Sequence, residues 1–121
     1  MSDAEAIRSA IGRYGQLVDD GEFDEWGDLF EDDAELDVSG HVLRGRAAIL
    51  EFIRSSYGDG GSTHLFGASD IRVAGDEASA ATDFLFVQND GKPVGVGRTQ
   101  DEWVRSGDGW RLRRRAITLK R

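Results

Sequence analysis

Apolar residues in the first third of the chain recur at helical spacing. Ile7, Ile11, Tyr14 and Val18 stand at i, i+4, i+7 and i+11, with Ala4, Ala10 and Leu17 widening the stripe. The pattern predicts an amphipathic helix that Ser2 or Asp3 can cap and that stops near Asp19-Asp20-Gly21. Phe23, Trp26, Leu29 and Phe30 predict a second, shorter helix, with Asp24 and Glu25 in its first turn, where the helix dipole favours acids. From Glu35 to Ser39 the period changes to two, a short strand, and His41-Val42-Leu43-Arg44 provides a return strand after a turn at Gly40. Gly45 and Arg46 open a third helix carrying Ala48, Ile49, Ile53 and Tyr57, which the run Gly58-Asp59-Gly60-Gly61 breaks.

Beyond that break, period two dominates. Gly75-Asp76, Asp90-Gly91 and Gly107-Asp108-Gly109 separate four stretches rich in Val, Ile, Phe, Thr and Trp, read as four antiparallel strands. Helices first and a meander afterwards predict an α+β fold whose helices cover one face of a curved antiparallel sheet. A two-residue turn at Asp90-Gly91 sets Val87 opposite Val94, Leu85 opposite Val96 and Asp83 opposite Arg98 on one face. The other face places Phe84 over Gly97 and Phe86 over Gly95. Both faces are then partly apolar, whereas a sheet with one wet face alternates more cleanly. The surplus predicts a homodimer through the outer sheet face.

With 121 residues, one Pro and no Cys, the chain is read as one domain over 1–121, without disulfides, thiolate nucleophiles, zinc fingers or iron–sulfur clusters. No apolar run approaches the roughly 20 residues of a membrane span. The acidic start Met1-Ser2-Asp3-Ala4-Glu5 does not read as a targeting peptide, so a cytoplasmic protein with no membrane partner is expected. A net charge of −8 argues against nucleic acid as a partner. That charge is uneven: residues 1–40 hold thirteen acids and two bases, and residues 105–121 hold seven bases and one acid. An acidic helical layer lying over or beside a basic terminal strand is expected. Two scattered His and dispersed acids make no metal set, and Gly58-Asp59-Gly60-Gly61 lacks the Lys and following helix of a phosphate loop, so no cofactor is expected.

Helix, short helix, hairpin, helix and long meander in this order resemble the cone of the nuclear-transport-factor-2-like (NTF2-like) superfamily, and within it the SnoaL-like branch related to ketosteroid isomerase and scytalone dehydratase. The resemblance runs over the whole chain. It is carried by Tyr14 followed five positions later by Asp19, by the stretch from Phe23 to Ala34, by Gly45-Arg46-Ala47-Ala48-Ile49, by His64, by Ile71 to Ala78, by Gly97-Arg98, and by Gly109-Trp110-Arg111-Leu112-Arg113-Arg114-Arg115. It implies a conical sheet and first helix enclosing one apolar pocket for a small apolar or aromatic molecule. It also implies an Asp at the end of the first helix that orients a His on the first long strand; Asp19 and His64 occupy those positions.

That pair suits proton abstraction. Histidine is the general base of neutral pH, and a carboxylate on its other ring nitrogen fixes the tautomer and stabilises the imidazolium. Asp19 also stands at the helix end where the dipole disfavours an acid, which points to a partner. Tyr14 lies on the apolar stripe, where a hydroxyl needs a hydrogen-bond partner and can polarise a carbonyl. The expected catalytic set is Asp19, His64 and Tyr14, with Trp26, Phe30, Phe66, Phe84, Thr99 and Arg115 lining the pocket. A strand must turn Arg113, Arg114 and Arg115 toward both faces, so at least one points inward or toward a partner, and the resemblance implies Arg115. Where the family often carries a pocket Tyr after the Gly-Arg, this chain has Thr99, and where it carries an Asn after the His, Ala68 or Ser69. The reading is a cofactor-independent lyase or isomerase performing dehydration, isomerisation or cyclisation. The alternative is a non-catalytic ligand-binding or dimerisation module.

Overall fold

The computed structural model describes residues 1–57 and 61–120. Helix α1 spans Asp3–Asp19 and buries Ile7, Ile11, Tyr14 and Val18. Ser2 caps it by accepting the Glu5 backbone N–H at 3.1 Å, while its hydroxyl donates to the Glu5 carboxylate at 3.0 Å. Helix α2 covers only Phe23–Gly27, and strand β1 begins at Phe30 and runs to Val38. Leu29 and Phe30 therefore leave the predicted second helix. Their side chains still join the core beside Trp26, which is what the helical spacing registered. Strand β2, His41–Arg44, returns through Ser39 and Gly40, both at positive φ (49° and 98°), as a tight right-twisted hairpin requires.

Helix α3 spans Arg46–Tyr57; of the predicted break that follows, Gly58, Asp59 and Gly60 lie outside the described residues. The meander consists of β3 (Ser62–Ala74), β4 (Glu77–Gln88), β5 (Pro93–Ser106) and β6 (Gly109–Leu119). The six strands lie in the order β2-β1-β6-β5-β4-β3. The meander is antiparallel as expected, and one pairing beyond it is not: β1 pairs with β6 in parallel. Parallel neighbours need a long connection, and α3 with the whole meander supplies it. Among the described residues no helix is long and apolar enough to cross a membrane.

Register follows the turn chemistry with one correction. Leu85 faces Val96, Asp83 faces Arg98, Phe84 faces Gly97 and Phe86 faces Gly95, but Val87 pairs with Pro93 rather than Val94. The Gln88 N–H donates to the Lys92 carbonyl at 2.8 Å, so the loop is longer than two residues and a bulge follows Phe86. A second bulge lies on β6: Trp103 pairs with Leu112 and Glu102 with Arg114, leaving Arg113 out of the ladder. Leu112 and Arg115, three residues apart, consequently both turn beneath the helices and are fully buried.

The basic end of the chain is neutralised mainly inside the sheet rather than by the helical layer. Arg114 meets Glu35 at 2.9 Å and Asp37 at 3.4 Å, Arg113 meets Glu77 at 3.4 Å, and Arg115 meets Asp101 at 2.7 Å. From the helices Asp3 contributes, bonding Arg105 at 3.0 Å and accepting the Trp110 indole N–H at 3.2 Å. Those two donors, Arg105 first, hold the Asp3 carboxyl below its ordinary range.

Candidate functional site

Between α1, α3 and the concave face of the sheet lies a cavity of about 420 Å³. Val18 of α1, Ile53 and Tyr57 of α3, and His64, Phe66, Phe84 and Phe86 of the sheet form much of its wall, with exposed Val94 and Leu119 at one end. Period two on β3 and β4 sends His64, Phe66, Phe84 and Phe86 inward together, and His64 pairs with Phe86 in register. Two glycines permit this crowding. A Cβ on Gly15 of α1 would lie 2.7 Å from the Phe66 ring, and one on Gly97 would lie 2.7 Å from the Phe84 ring.

Asp19 and His64 meet at this wall. One carboxylate oxygen of Asp19 accepts from His64 Nδ1 at 2.7 Å, and the other accepts the backbone N–H of His64 at 2.9 Å. Both groups are largely shielded from water, with side-chain exposures of 17% for His64 and 11% for Asp19. An acid at the negative end of α1 is thus held by two donors from a single residue of β3. Because a carboxylate only accepts, Nδ1 must carry the proton, and in the neutral imidazole the lone pair is then on Nε2. The arrangement pre-sets one tautomer of a base inside an apolar enclosure.

Tyr57, which the sequence reading placed only as a helix residue, is the third polar group here. Its hydroxyl lies 2.9 Å from Nδ1 and 3.3 Å from Nε2 of His64, and 3.5 Å from Asp19. Its ring stacks with the imidazole at an interplanar angle of 18°, and Phe66 stacks with the same imidazole at 13°. Burial first, and the Asp19 charge second, push the Tyr57 hydroxyl well above the usual tyrosine range. A signal for Tyr57 was present: it continues the Ile49–Ile53 stripe by another four residues, and a hydroxyl on a buried face needs a partner.

Of the other expected site residues, Tyr14, Phe66, Phe84 and Thr99 line the cavity, and Thr99 donates to the Thr82 carbonyl at 3.4 Å. Trp26, Phe30 and Arg115 do not line it. Trp26 and Phe30 are fully buried behind Tyr14, with ring centroids 5.4 Å and 6.1 Å from its own, so they are core rather than lining. The Arg115 guanidinium lies 4.0 Å from the Tyr14 ring centroid and donates twice to Asp101, both at 2.7 Å. Asp101 also accepts the Trp103 indole N–H at 3.2 Å, while Arg115 Nη1 has no partner among the described residues. Burial works against the Arg115 charge, but Asp101 more than offsets it and raises the pKa above the ordinary arginine value. Tyr14 is raised too, by burial, with Arg115 pulling the other way. His41 is exposed in the β1–β2 hairpin and does not line this cavity, its ring lying 5.9 Å from that of Phe52, which does. Among the described residues no group of three His, Asp or Glu side chains could hold a metal ion.

Residues 1–116 match a family described as the SnoaL-like domain. The fold is shared with an NTF2-like protein of cystatin-like fold from Novosphingobium aromaticivorans, at 30% identity and a TM-score of 0.88 over 98% of this chain and 82% of that one. It is shared with a candidate scytalone dehydratase from the same organism, at 21% identity and a TM-score of 0.84 over 98% and 84% of the two chains. A structure from Catenulispora acidiphila in complex with S-DNPA aligns at 22% identity and a TM-score of 0.80 over 96% of this chain and 92% of that one. Among curated proteins no relative matches.

Proposed function

The chain belongs to the SnoaL-like domain family, and on that premise we propose that it is a cofactor-independent enzyme that takes a proton from a small apolar or aromatic molecule held in its cavity. The observation that carries this reading is the Asp19–His64 pair: Nδ1 is bonded to the carboxylate at 2.7 Å, and Nε2 retains its lone pair on a residue that lines the cavity. As a proton reaches Nε2, the adjacent carboxylate stabilises the imidazolium that forms. Elimination, isomerisation and cyclisation all begin with such a step. No Lys or Arg lines the cavity among the described residues, which favours an uncharged ligand. The relatives support the reading at the level of chemistry class, one being a candidate dehydratase and another having been crystallised with S-DNPA.

The test follows deuterium incorporation next to the carbonyl of small aromatic ketones in D₂O, by mass spectrometry. His64→Gln and Asp19→Asn should each slow exchange by about 10²-fold or more, the usual worth of a positioned general base, while circular dichroism stays unchanged. Exchange that survives His64→Gln would overturn the assignment of the base. Ligand binding without exchange in the wild-type chain would favour a ligand-holding module instead.

The outer face of the sheet serves, on this reading, for self-association. Leu65, Leu85 and Val96 stand in one cross-strand row there, with Leu65 53% and Val96 42% exposed. Sedimentation at micromolar concentration should show a dimer that Leu65→Glu dissociates; a monomeric wild type refutes it.

A further inference from the structure

The end of the sheet that holds the cavity mouth differs in chemistry from the rest of it. Among the described residues six large hydrophobic side chains are exposed, and four of them, Leu65, Val94, Val96 and Leu119, lie at that end. They occupy both faces. Leu65 pairs with Leu85, which pairs with Val96, and this row stands on the outer face, whereas Val94 and Leu119 line the cavity and are still 52% and 56% exposed. The two sets adjoin: Val94 lies two residues before Val96, and Leu119 precedes Lys120, whose backbone N–H donates to the Val96 carbonyl at 2.7 Å. One apolar strip therefore passes from the outer face over the strand ends to the lip of the mouth. The far end of the outer face is ionic instead, with Arg72 on Asp70 at 3.3 Å and Arg113 on Glu77 at 3.4 Å and Glu102 at 3.5 Å. Apolar contact with a partner is thus confined to the mouth end.

The charges beside the strip select its partner. Asp83, two residues from Leu85 on the same face, meets Arg98 at 2.6 Å and Lys120 at 3.1 Å, and all three side chains are about half exposed. A patch carrying both signs is complementary to a copy of itself under a two-fold rotation, whereas a uniformly acidic or basic partner would meet like charge in it. We infer that a second copy of this chain, seated on the strip, closes the cavity mouth, so that ligand binding and dimerisation are coupled. The inference rests on the self-association reading of the outer face and not on proton abstraction. In the free chain the Val94 and Leu119 side chains, and the ligand surface between them, remain in contact with water. Covering about 55 Å² more of apolar surface suffices for a tenfold gain in affinity. Linkage makes the effect reciprocal: if each of two cavities binds about tenfold tighter in the dimer, a saturating ligand strengthens dimerisation by about a hundredfold.

The experiment measures the dimer dissociation constant by sedimentation equilibrium, without ligand and with saturating 1-tetralone, and the tetralone affinity by NMR titration of wild type and Leu65→Glu. Tetralone should lower the dimer constant by about a hundredfold, and the Leu65→Glu monomer should bind it about tenfold more weakly, although Leu65 does not line the cavity. Val96→Lys, on the same outer row, should behave alike, with circular dichroism confirming that each variant is folded. A wild-type dimer whose constant tetralone leaves within threefold overturns the coupling and leaves the dimer standing. So does equal tetralone affinity in the wild-type dimer and a folded Leu65→Glu monomer. A chain that is monomeric with and without tetralone, or a Leu65→Glu chain that stays dimeric, overturns the self-association reading as well. None of these outcomes touches the assignment of His64. Failure of tetralone to bind wild type overturns the coupling together with the apolar-cavity reading.

Discussion

Asp101 and Arg115 offer the sharpest test of what holds the site together. Both side chains are 0% exposed, and their two hydrogen bonds are 2.7 Å each. Substituting Asp101 by Leu removes the acceptor of both bonds and of the Trp103 indole N–H, and leaves a guanidinium that cannot deprotonate in a dry environment. Breaking a buried pair from one side costs about 3–5 kcal/mol, a large part of the roughly 5–15 kcal/mol by which a domain of this size is stable. The double substitution Asp101→Leu with Arg115→Met removes both charges and retains volume, and should sit within about 1–2 kcal/mol of wild type. The double-mutant cycle then yields a coupling of roughly 2–3 kcal/mol or more. Urea unfolding followed by tryptophan fluorescence measures all four corners, since Trp26 and Trp103 are fully buried. A single Asp101→Leu cost below about 1 kcal/mol would refute the reasoning, because it would mean that water reaches the guanidinium and replaces the carboxylate.

Three further outcomes are expected. The chain has two tyrosines, both raised above the ordinary value near 10, so alkaline titration at 295 nm should show no tyrosinate below the pH at which circular dichroism reports unfolding. The folded state retains protons that the unfolded state loses, so stability is fully present below pH 10 and falls above it by about 1.4 kcal/mol per pH unit from Tyr14, with a smaller share from half-buried Tyr57; early tyrosinate absorbance would refute this. Gly97→Ala puts a Cβ 2.7 Å from the Phe84 ring and 2.7 Å from the Thr118 carbonyl, a backbone atom that cannot yield, and should cost about 1–3 kcal/mol in urea unfolding. Ser2→Ala removes the acceptor for the Glu5 N–H and should cost about 1 kcal/mol, while Ser2→Asp should restore most of it.

The elements were legible wherever local chemistry decided them. Helical spacing in α1, positive-φ turn residues at Gly40, Gly75 and Gly107, and alternation through β3 to β6 are properties of short windows, and all of them appear in the structure. Phe30 was misplaced for a related reason. At three and four residues from Gly27 and Trp26 it continues an apolar helical stripe, yet its backbone pairs with Leu112, eighty-two positions away. Nothing near Phe30 announces that partner. The parallel β1–β6 pairing was hidden in the same way, because it depends on where a long connection returns.

At the site, the legible residues were those whose type alone carries chemistry, and the hidden ones were those whose role is set by geometry. Asp19 stands at an electrostatically poor helix end and so looked out of place, the family resemblance gave it His64 as partner, and the structure brings the two to 2.7 Å. Alternation required only that some arginine of the run turn inward or toward a partner, the family resemblance pointed to Arg115 as the pocket residue, and Arg115 is the one that turns inward. Strict alternation from buried Trp110 and Leu112 would choose Arg114, and the bulge at Arg113 transfers the position to Arg115. There Arg115 meets Asp101 and the underside of Tyr14 rather than the cavity. Tyr57 was passed over because a tyrosine four residues beyond Ile53 reads as more of the same apolar stripe. Its hydroxyl acquires meaning only because β3 returns alongside the end of α3 and sets His64 under it, seven residues later in sequence and 2.9 Å away in space. Residues that contradict their local setting can therefore be picked out from sequence, whereas a residue that fits its setting and gains a second role from a neighbouring element is recognised only once that element has been placed.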